Sequence, residues 1–381
     1  MSTEVKYTGK YPLMSVLFEE IFGQLSHVLC RNVNRSKIDL GKIRLRYAKT
    51  IDDIPMLTSL ELQLCRGSDL RKRLLHKCAH MLQDLRIGSG DPREVIYDND
   101  NNAVTYPNLQ HLQITNDRYF DPKDKVLAPG IVPFPKLKSL HILMDYVFAD
   151  DVMFRGNSNT LEHLEFHVDE VMMDTMINSE EFKNVGKFLM KVVIVDYHDS
   201  LLHTNAPQAD ATTLLSKLAG NALILGMSSE IMVNGLLATN PRTHEFKDIQ
   251  LLNAMSVGLS VFQIMNLLKI LPALKKLCCA SGGLGRELTN IAYNELPDHI
   301  LSKYSNIGKH FYKLQISSPV VSTRYAAAEF IMTLALACPK LCRITSFDPA
   351  APNYRLGISE ILESDGPYSK YAPRFRRLLK W

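Results

Sequence analysis

The sequence predicts an α/β solenoid: a curved parallel sheet on the concave face, one strand per repeat, with helices and irregular loops on the convex face. Three observations predict it. A short apolar pattern recurs along most of the 381 residues, its spacing is nearly constant over six consecutive copies, and the segments between copies read as helices or loops.

The pattern is clearest in Tyr106-Pro107-Asn108-Leu109-Gln110-His111-Leu112-Gln113-Ile114, which returns as Phe134-Pro135-Lys136-Leu137-Lys138-Ser139-Leu140-His141-Ile142. Leu271-Pro272-Ala273-Leu274-Lys275-Lys276-Leu277 repeats it, and related forms begin at Ile54-Pro55 and Cys338-Pro339. Copies without the proline are Leu82-Leu85-Ile87, Leu161-Leu164-Phe166, Phe246-Ile249-Leu251, Phe311-Leu314-Ile316 and, more weakly, Leu189-Val192-Ile194. Apolar-x-x-apolar-x-apolar is the strand half of a leucine-rich repeat. Its last two apolar positions alternate along a strand and point inward together, leaving the residues between them on the open face. Proline, lacking an N–H, suits the loop that leads into the strand.

The first apolar residues fall at 57, 82, 109, 137, 161 and 189, in steps of 25, 27, 28, 24 and 28. Those steps lie within the 20–29 residues of such repeats. The next clear copy starts 57 residues later, at Phe246, so Asn221-Ala222-Leu223-Ile224-Leu225 is expected to supply a degenerate strand between them. Among the linking segments, 69–81, 208–218, 257–270 and 325–337 carry apolar residues every three to four positions and read as helices. Segments 91–105 and 117–132 are rich in Asp, Asn, Pro and Gly and read as loops.

A solenoid needs terminal units that cover its core. Leu13, Leu17, Phe18, Ile21, Phe22, Leu25 and Leu29 share one face of a helix over 12–29, so residues 1–45 are expected to form an N-terminal helical cap. About ten irregular units then occupy 46–350, and 351–381 close the array. The basic tail Arg374-Phe375-Arg376-Arg377-Leu378-Leu379-Lys380-Trp381 reads as a solvated helix end.

Composition narrows the function classes. Hydrophobic residues make up 46% and charged residues 22%, enough for a large core. A net charge of +4 supplies no field to draw the whole molecule to nucleic acid, which makes nucleic acid an unlikely partner. Seven cysteines with no CxxC spacing fit a reducing compartment, and the polar Met1 to Tyr11 segment has no apolar signal region. No apolar run reaches 18 residues. The expectation is an intracellular protein, cytoplasmic or nuclear, with no membrane span.

Motifs that carry chemistry are scarce. Ser281-Gly282-Gly283-Leu284-Gly285-Arg286 lacks the spacing and lysine of a phosphate loop and reads as a loop insertion. His76 and His80, one helical turn apart, have no third ligand in view, so no metal or other cofactor is expected. The informative residues are those between the inward apolar positions. His111, Gln113, His141, His163, Glu165 and His167 fall on three consecutive strands, with Arg86 one strand before and Lys191 one strand after. Parallel strands lie about 4.8 Å apart, so equivalent positions form columns on the open face. Four of the twelve histidines would then share one patch, whose affinity for a partner would change as imidazoles titrate between about pH 6 and 7.

The Pro-x-Leu-x-x-Leu units resemble leucine-rich-repeat proteins of the ribonuclease-inhibitor-like class, in particular the divergent arrays of fungi that are often joined to an F-box. Phe154-Arg155-Gly156-Asn157-Ser158-Asn159-Thr160-Leu161 and Tyr371-Ala372-Pro373-Arg374-Phe375 carry that likeness, and Leu296-Pro297-Asp298-His299-Ile300-Leu301 looks like the opening of an F-box inside the array. The asparagine usual after the strand is replaced by residues such as Thr115, Leu143 and Val168. The resemblance implies, as an alternative function, a substrate adaptor that binds components of an SCF-type ubiquitin ligase. The leading expectation is a non-catalytic scaffold that holds another protein on the concave face. An enzyme built on the repeat loops is the third reading.

Overall fold

The computed structural model describes residues 58–379 apart from several loop stretches, the longest of them 117–130 and 197–207. The expected N-terminal helix and the end of the basic tail lie outside the described residues. The chain divides into two compact units. The first carries β1 (Ser59–Gln63), β2 (Asp84–Gly88), β3 (His111–Asn116), β4 (Ser139–Met144) and β5 (His163–Val168). The second carries β6 (Lys191–Asp196), β7 (Ile224–Met227), β8 (Leu251–Leu259), β9 (Lys276–Ser281), β10 (Lys313–Pro319) and β11 (Arg343–Ser346). In each unit every strand pairs in parallel with its successor, the arrangement of a leucine-rich repeat.

The register is set by the apolar pattern. In the first unit Leu60, Leu85, Leu112, Leu140 and Leu164 stand in one row across the ladder, all buried. In the second unit Val192, Leu225, Leu252, Leu277, Leu314 and Ile344 do the same. A one-residue slip would turn an entire row of aliphatic side chains to the open face, so burial fixes the pairing.

A tight turn precedes the strands. Leu109 N–H donates to the Tyr106 carbonyl, and Leu137 to Phe134, Leu274 to Leu271 and Leu341 to Cys338 in the same way. The second residue of each of these turns is proline (Pro107, Pro135, Pro272, Pro339), whose fixed φ suits that position. Each strand then hangs from the one before by two amides on one carbonyl. Lys138 and Ser139 both donate to Gln110 O, Gln250 and Leu251 to Leu223 O, and Lys275 and Lys276 to Gln250 O. Where the asparagine ladder is missing, Thr115 Oγ1 donates to Ile87 O on the preceding strand at 3.3 Å.

The degenerate tract at 221–225 does lead into a strand, β7, which pairs with both neighbours. The copy at Phe246 needs a correction. Ile249 N–H closes its turn on Phe246 O, so Phe246 holds the place of Tyr106 and Phe134, one turn ahead of the strand motif. The inward triplet is Ile249-Leu252-Ala254, all buried, and Leu251 stands at an outward position opposite Lys276. Both frames satisfy the same apolar spacing. The bulk of Leu251 beside the small Ala254 made the wrong one look stronger.

On the other side of the strands the first unit carries α1 (Asp69–Cys78) and the short α2 (Arg93–Ile96). The second carries α3 (Gln208–Ala219), α4 (Glu230–Leu237), α5 (Val261–Ile270), α6 (Arg286–Thr289), α7 (Leu296–Tyr304), α8 (Arg324–Ala337), α9 (Tyr354–Glu363) and α10 (Ala372–Leu379). The helical start expected at Val257 belongs instead to β8; α5 begins after Ser260, whose hydroxyl and Gln263 form a reciprocal capping box. Close helix contacts depend on small residues. A Cβ on Gly357 of α9 would come within 2.5 Å of Arg324 O and 2.9 Å of Ala328 Cβ on α8. On α4, a Cβ at Gly235 would stand 2.8 Å from Ala211 Cβ of α3.

The C-terminal residues are less solvated than expected. Arg377 of α10 is half-buried and donates to Ala335 O and Cys338 O at the end of α8 and to Leu341 O in the turn that follows. A cation there meets carbonyls that lack an intrahelical N–H and the negative end of the helix dipole. Phe375 and Leu378 of the same helix are buried, and Tyr368 before it shares a 2.7 Å hydrogen bond with Thr333 of α8. The Leu296-Pro297 opening forms the single helix α7, with Leu296 and Ile300 buried, leading on to β10.

Candidate partner-binding face

Strand alternation puts two rows of side chains on the open face of the first unit. The leading row is Ser59, Asp84, His111, Ser139 and His163; the middle row is Arg86, Gln113, His141 and Glu165. Six of the eight residues proposed from sequence therefore stand in these two rows, on four consecutive strands: Arg86, His111, Gln113, His141, His163 and Glu165. His167 lies two positions beyond Glu165 on β5 and is half-buried. Lys191 belongs to the second unit, where it stands opposite Ile224 in that unit's leading row.

Two contacts organise the first unit's face. His141 Nε2 lies 3.3 Å from Glu165 Oε1, across the β4–β5 ladder, with both side chains about a quarter exposed. Protonated, this imidazole forms an ion pair; neutral, it can still donate one hydrogen bond. Arg86 Nε lies 3.5 Å from Asp84 Oδ1 on the same strand, two residues back and hence on the same side. At the margin, Lys138 reaches Glu162 at 3.7 Å. His111 and His163 are exposed in the leading row, on either side of Ser139. The patch carries both signs of charge and donors and acceptors at strand spacing.

The second unit's face differs in kind. Its leading row is Lys191, Ile224, Leu251, Lys276, Lys313 and Arg343; its middle row is Val193, Gly226, Asn253, Cys278, Gln315 and Thr345. No carboxylate occupies either row. Cys278 Sγ lies 3.6 Å from Gln315 Oε1, and its thiol is pushed up by burial, a shift that the nearby Lys313 and Lys276 ammoniums only partly oppose. Sequence reasoning stopped short of this row because the misplaced frame at Phe246 turned Leu251 inward. Carrying the 276, 313 and 343 positions through the corrected frame would have exposed it.

Other motifs have structural work. The glycine loop after β9 covers the start of α5: Gly283 O and Leu284 O accept from Val261 and Phe262 N–H. Gly283 and Gly285 have φ of +77 and +89, which side chains rarely adopt. The carbonyl of His80, in the turn after α1, accepts from Asn108 Nδ2 at 2.8 Å. Among the described residues no three His, Cys, Asp or Glu side chains gather as metal ligands, and no helix is long and apolar enough to cross a membrane.

No family model and no curated protein matches the sequence. Among solved structures, the chain is similar to the leucine-rich repeat-containing protein LegL7 from Legionella pneumophila, at 15% identity over 90% of this chain and 98% of that one, with a TM-score of 0.42. The repeat assignment here stands on the chain's own strand order and register.

Proposed function

We propose that the protein is a non-catalytic interaction scaffold that holds another protein on the open face of its strands. The observation that carries this reading is the first unit's patch, in which His111, Gln113, His141, His163 and Glu165 occupy register-paired positions on three adjacent strands. Rigid strands place such groups more precisely than loops do, and a face with interspersed donors, acceptors and both signs of charge suits a polar protein surface. Arg86 and His167 would extend the contact along the same rows. Lys191 would serve a separate contact on the second unit.

The adaptor reading, with ubiquitin-ligase components as partners, derives from the resemblance to F-box arrays. The F-box-like opening argues for a structural role instead, since α7 uses Leu296 and Ile300 to fill the second unit's core. Affinity capture of the full chain followed by mass spectrometry tests both. A specific partner is expected to be captured by the intact protein and lost, by about tenfold or more, by the His141→Ala/His163→Ala double variant at an unchanged Tm. Equal capture by the variant would move the contact off this patch, and co-purifying cullin-ligase subunits would restore the adaptor reading.

A further inference from the structure

We infer that the leading row of the second unit, Ile224, Leu251, Lys276, Lys313 and Arg343, is a docking strip for a short acidic segment of a protein partner, apolar at one end and carboxylate-rich at the other; this rests on the reading that the open strand face is a binding face.

The argument begins with the register. Lys276 pairs with Lys313, and Lys313 with Arg343, so three cations stand directly opposite one another on consecutive strands. Like charges at directly opposed positions destabilise a sheet. Other cations of the strand ladders do find partners: Arg86 has Asp84, Lys138 has Glu162, and Lys275 Nζ donates to Gln250 Oε1 at 2.9 Å. Lys276 and Lys313 have no carboxylate and no hydrogen-bond acceptor for their ammonium groups among the described residues. Both side chains are only partly exposed, which limits how far water can screen them. An anionic partner relieves the repulsion along the row and supplies counter-charges to Lys276 and Lys313.

The neighbouring positions decide what kind of anion fits. Toward β7 the row continues as Leu251 and Ile224, two partly exposed aliphatic side chains in line with the lysines. Beside them the middle row is neutral, with Gly226, Asn253, Cys278, Gln315 and Thr345. A nucleic acid would be met by aromatic stacking surfaces between the cations, and none of these row positions is aromatic. From β7 to β11 the row spans roughly 19 Å at strand spacing, the length of about six extended residues. An apolar pair followed by carboxylates matches the row in both order and length.

The test uses the full-length protein and a fluorescein-labelled peptide, Gly-Leu-Leu-Ser-Glu-Glu-Glu-Glu-Gly, with fluorescence anisotropy at low and moderate salt. Saturable binding is expected, at least about tenfold weaker for the all-Gln peptide and weakening as salt rises. The Lys276→Glu/Lys313→Glu variant should lose binding by about tenfold or more, and Lys276→Gln/Lys313→Gln should reduce it in proportion while removing the charge repulsion, so that its Tm does not fall. A poly-dT oligonucleotide of equal charge serves as the competing ligand. Equal affinity for the Glu and Gln peptides, or tighter binding of the oligonucleotide, would overturn the inference. The His141→Ala/His163→Ala variant should bind the peptide normally. Failure of the peptide together with intact partner capture removes the acidic strip alone, whereas failure of partner capture removes the scaffold reading.

Discussion

The two units of this chain use one strand pattern to build two different surfaces. In the first, the leading and middle rows place two carboxylates, an arginine and three histidines among polar residues, and Arg86 and His141 each meet a carboxylate on the same face. In the second, the same two rows hold four cations, three aliphatic residues and no carboxylate. The backs differ as well. Among the described residues the first unit carries one helix of ten residues and one of four, whereas the second packs a series of helices around the buried α8. The inward aliphatic rows are the part held in common. What may vary without disturbing the fold is whatever lies between those rows, and that freedom is where binding specificity resides.

The largest expected effect breaks the comparison at its register. If Leu252 is inward and Leu251 outward, Leu252→Ala should destabilise the protein by about 2–5 kcal/mol, through lost burial and a residual cavity. Leu251→Ala should cost under about 1 kcal/mol. Denaturant midpoints of the two variants check this, and reversed values would restore the frame that starts at Phe246.

A smaller effect sharpens the contrast between paired and unpaired charge. Glu329 on α8 is half-buried, and desolvation raises its carboxyl above the ordinary value. It in turn holds the Tyr293 and Tyr368 phenols up, although burial is the main cause for each. An acid with a raised folded-state pKa binds more protons folded than unfolded, so its contribution to stability falls as pH rises from the unfolded value through the folded one. Glu329→Gln should therefore raise the Tm at neutral pH by roughly 1–3 °C and lose that advantage toward pH 4. A lower Tm at neutral pH would mean that the carboxylate has a stabilising partner.

Most of the strand architecture was legible in the sequence because inward aliphatic residues at constant spacing report directly on a buried row. Leu85, Leu112, Leu140 and Leu164 were found this way, and so were the helices around Gln208, Tyr325 and Ile358. The frame at Phe246 failed because apolar residues also occupy lead-in and outward positions there, and periodicity alone does not distinguish those environments. The role of Arg377 was hidden for a different reason: a basic residue near a C-terminus looks solvated unless the carbonyls it reaches are known. The histidine columns followed from register arithmetic, which holds as long as the strand spacing is regular. The cationic row of the second unit lay past the point where that spacing lengthens.

The most direct test of the central claim places a photo-crosslinking amino acid at Gln113, in the middle of the first unit's open face, and separately at Arg73, on the exposed surface of α1. On illumination in cell extract, the same partner should be trapped repeatedly from Gln113 and not from Arg73. Trapping from Arg73 with none from Gln113 would contradict the account, since it would place the partner on the helices instead of the strands.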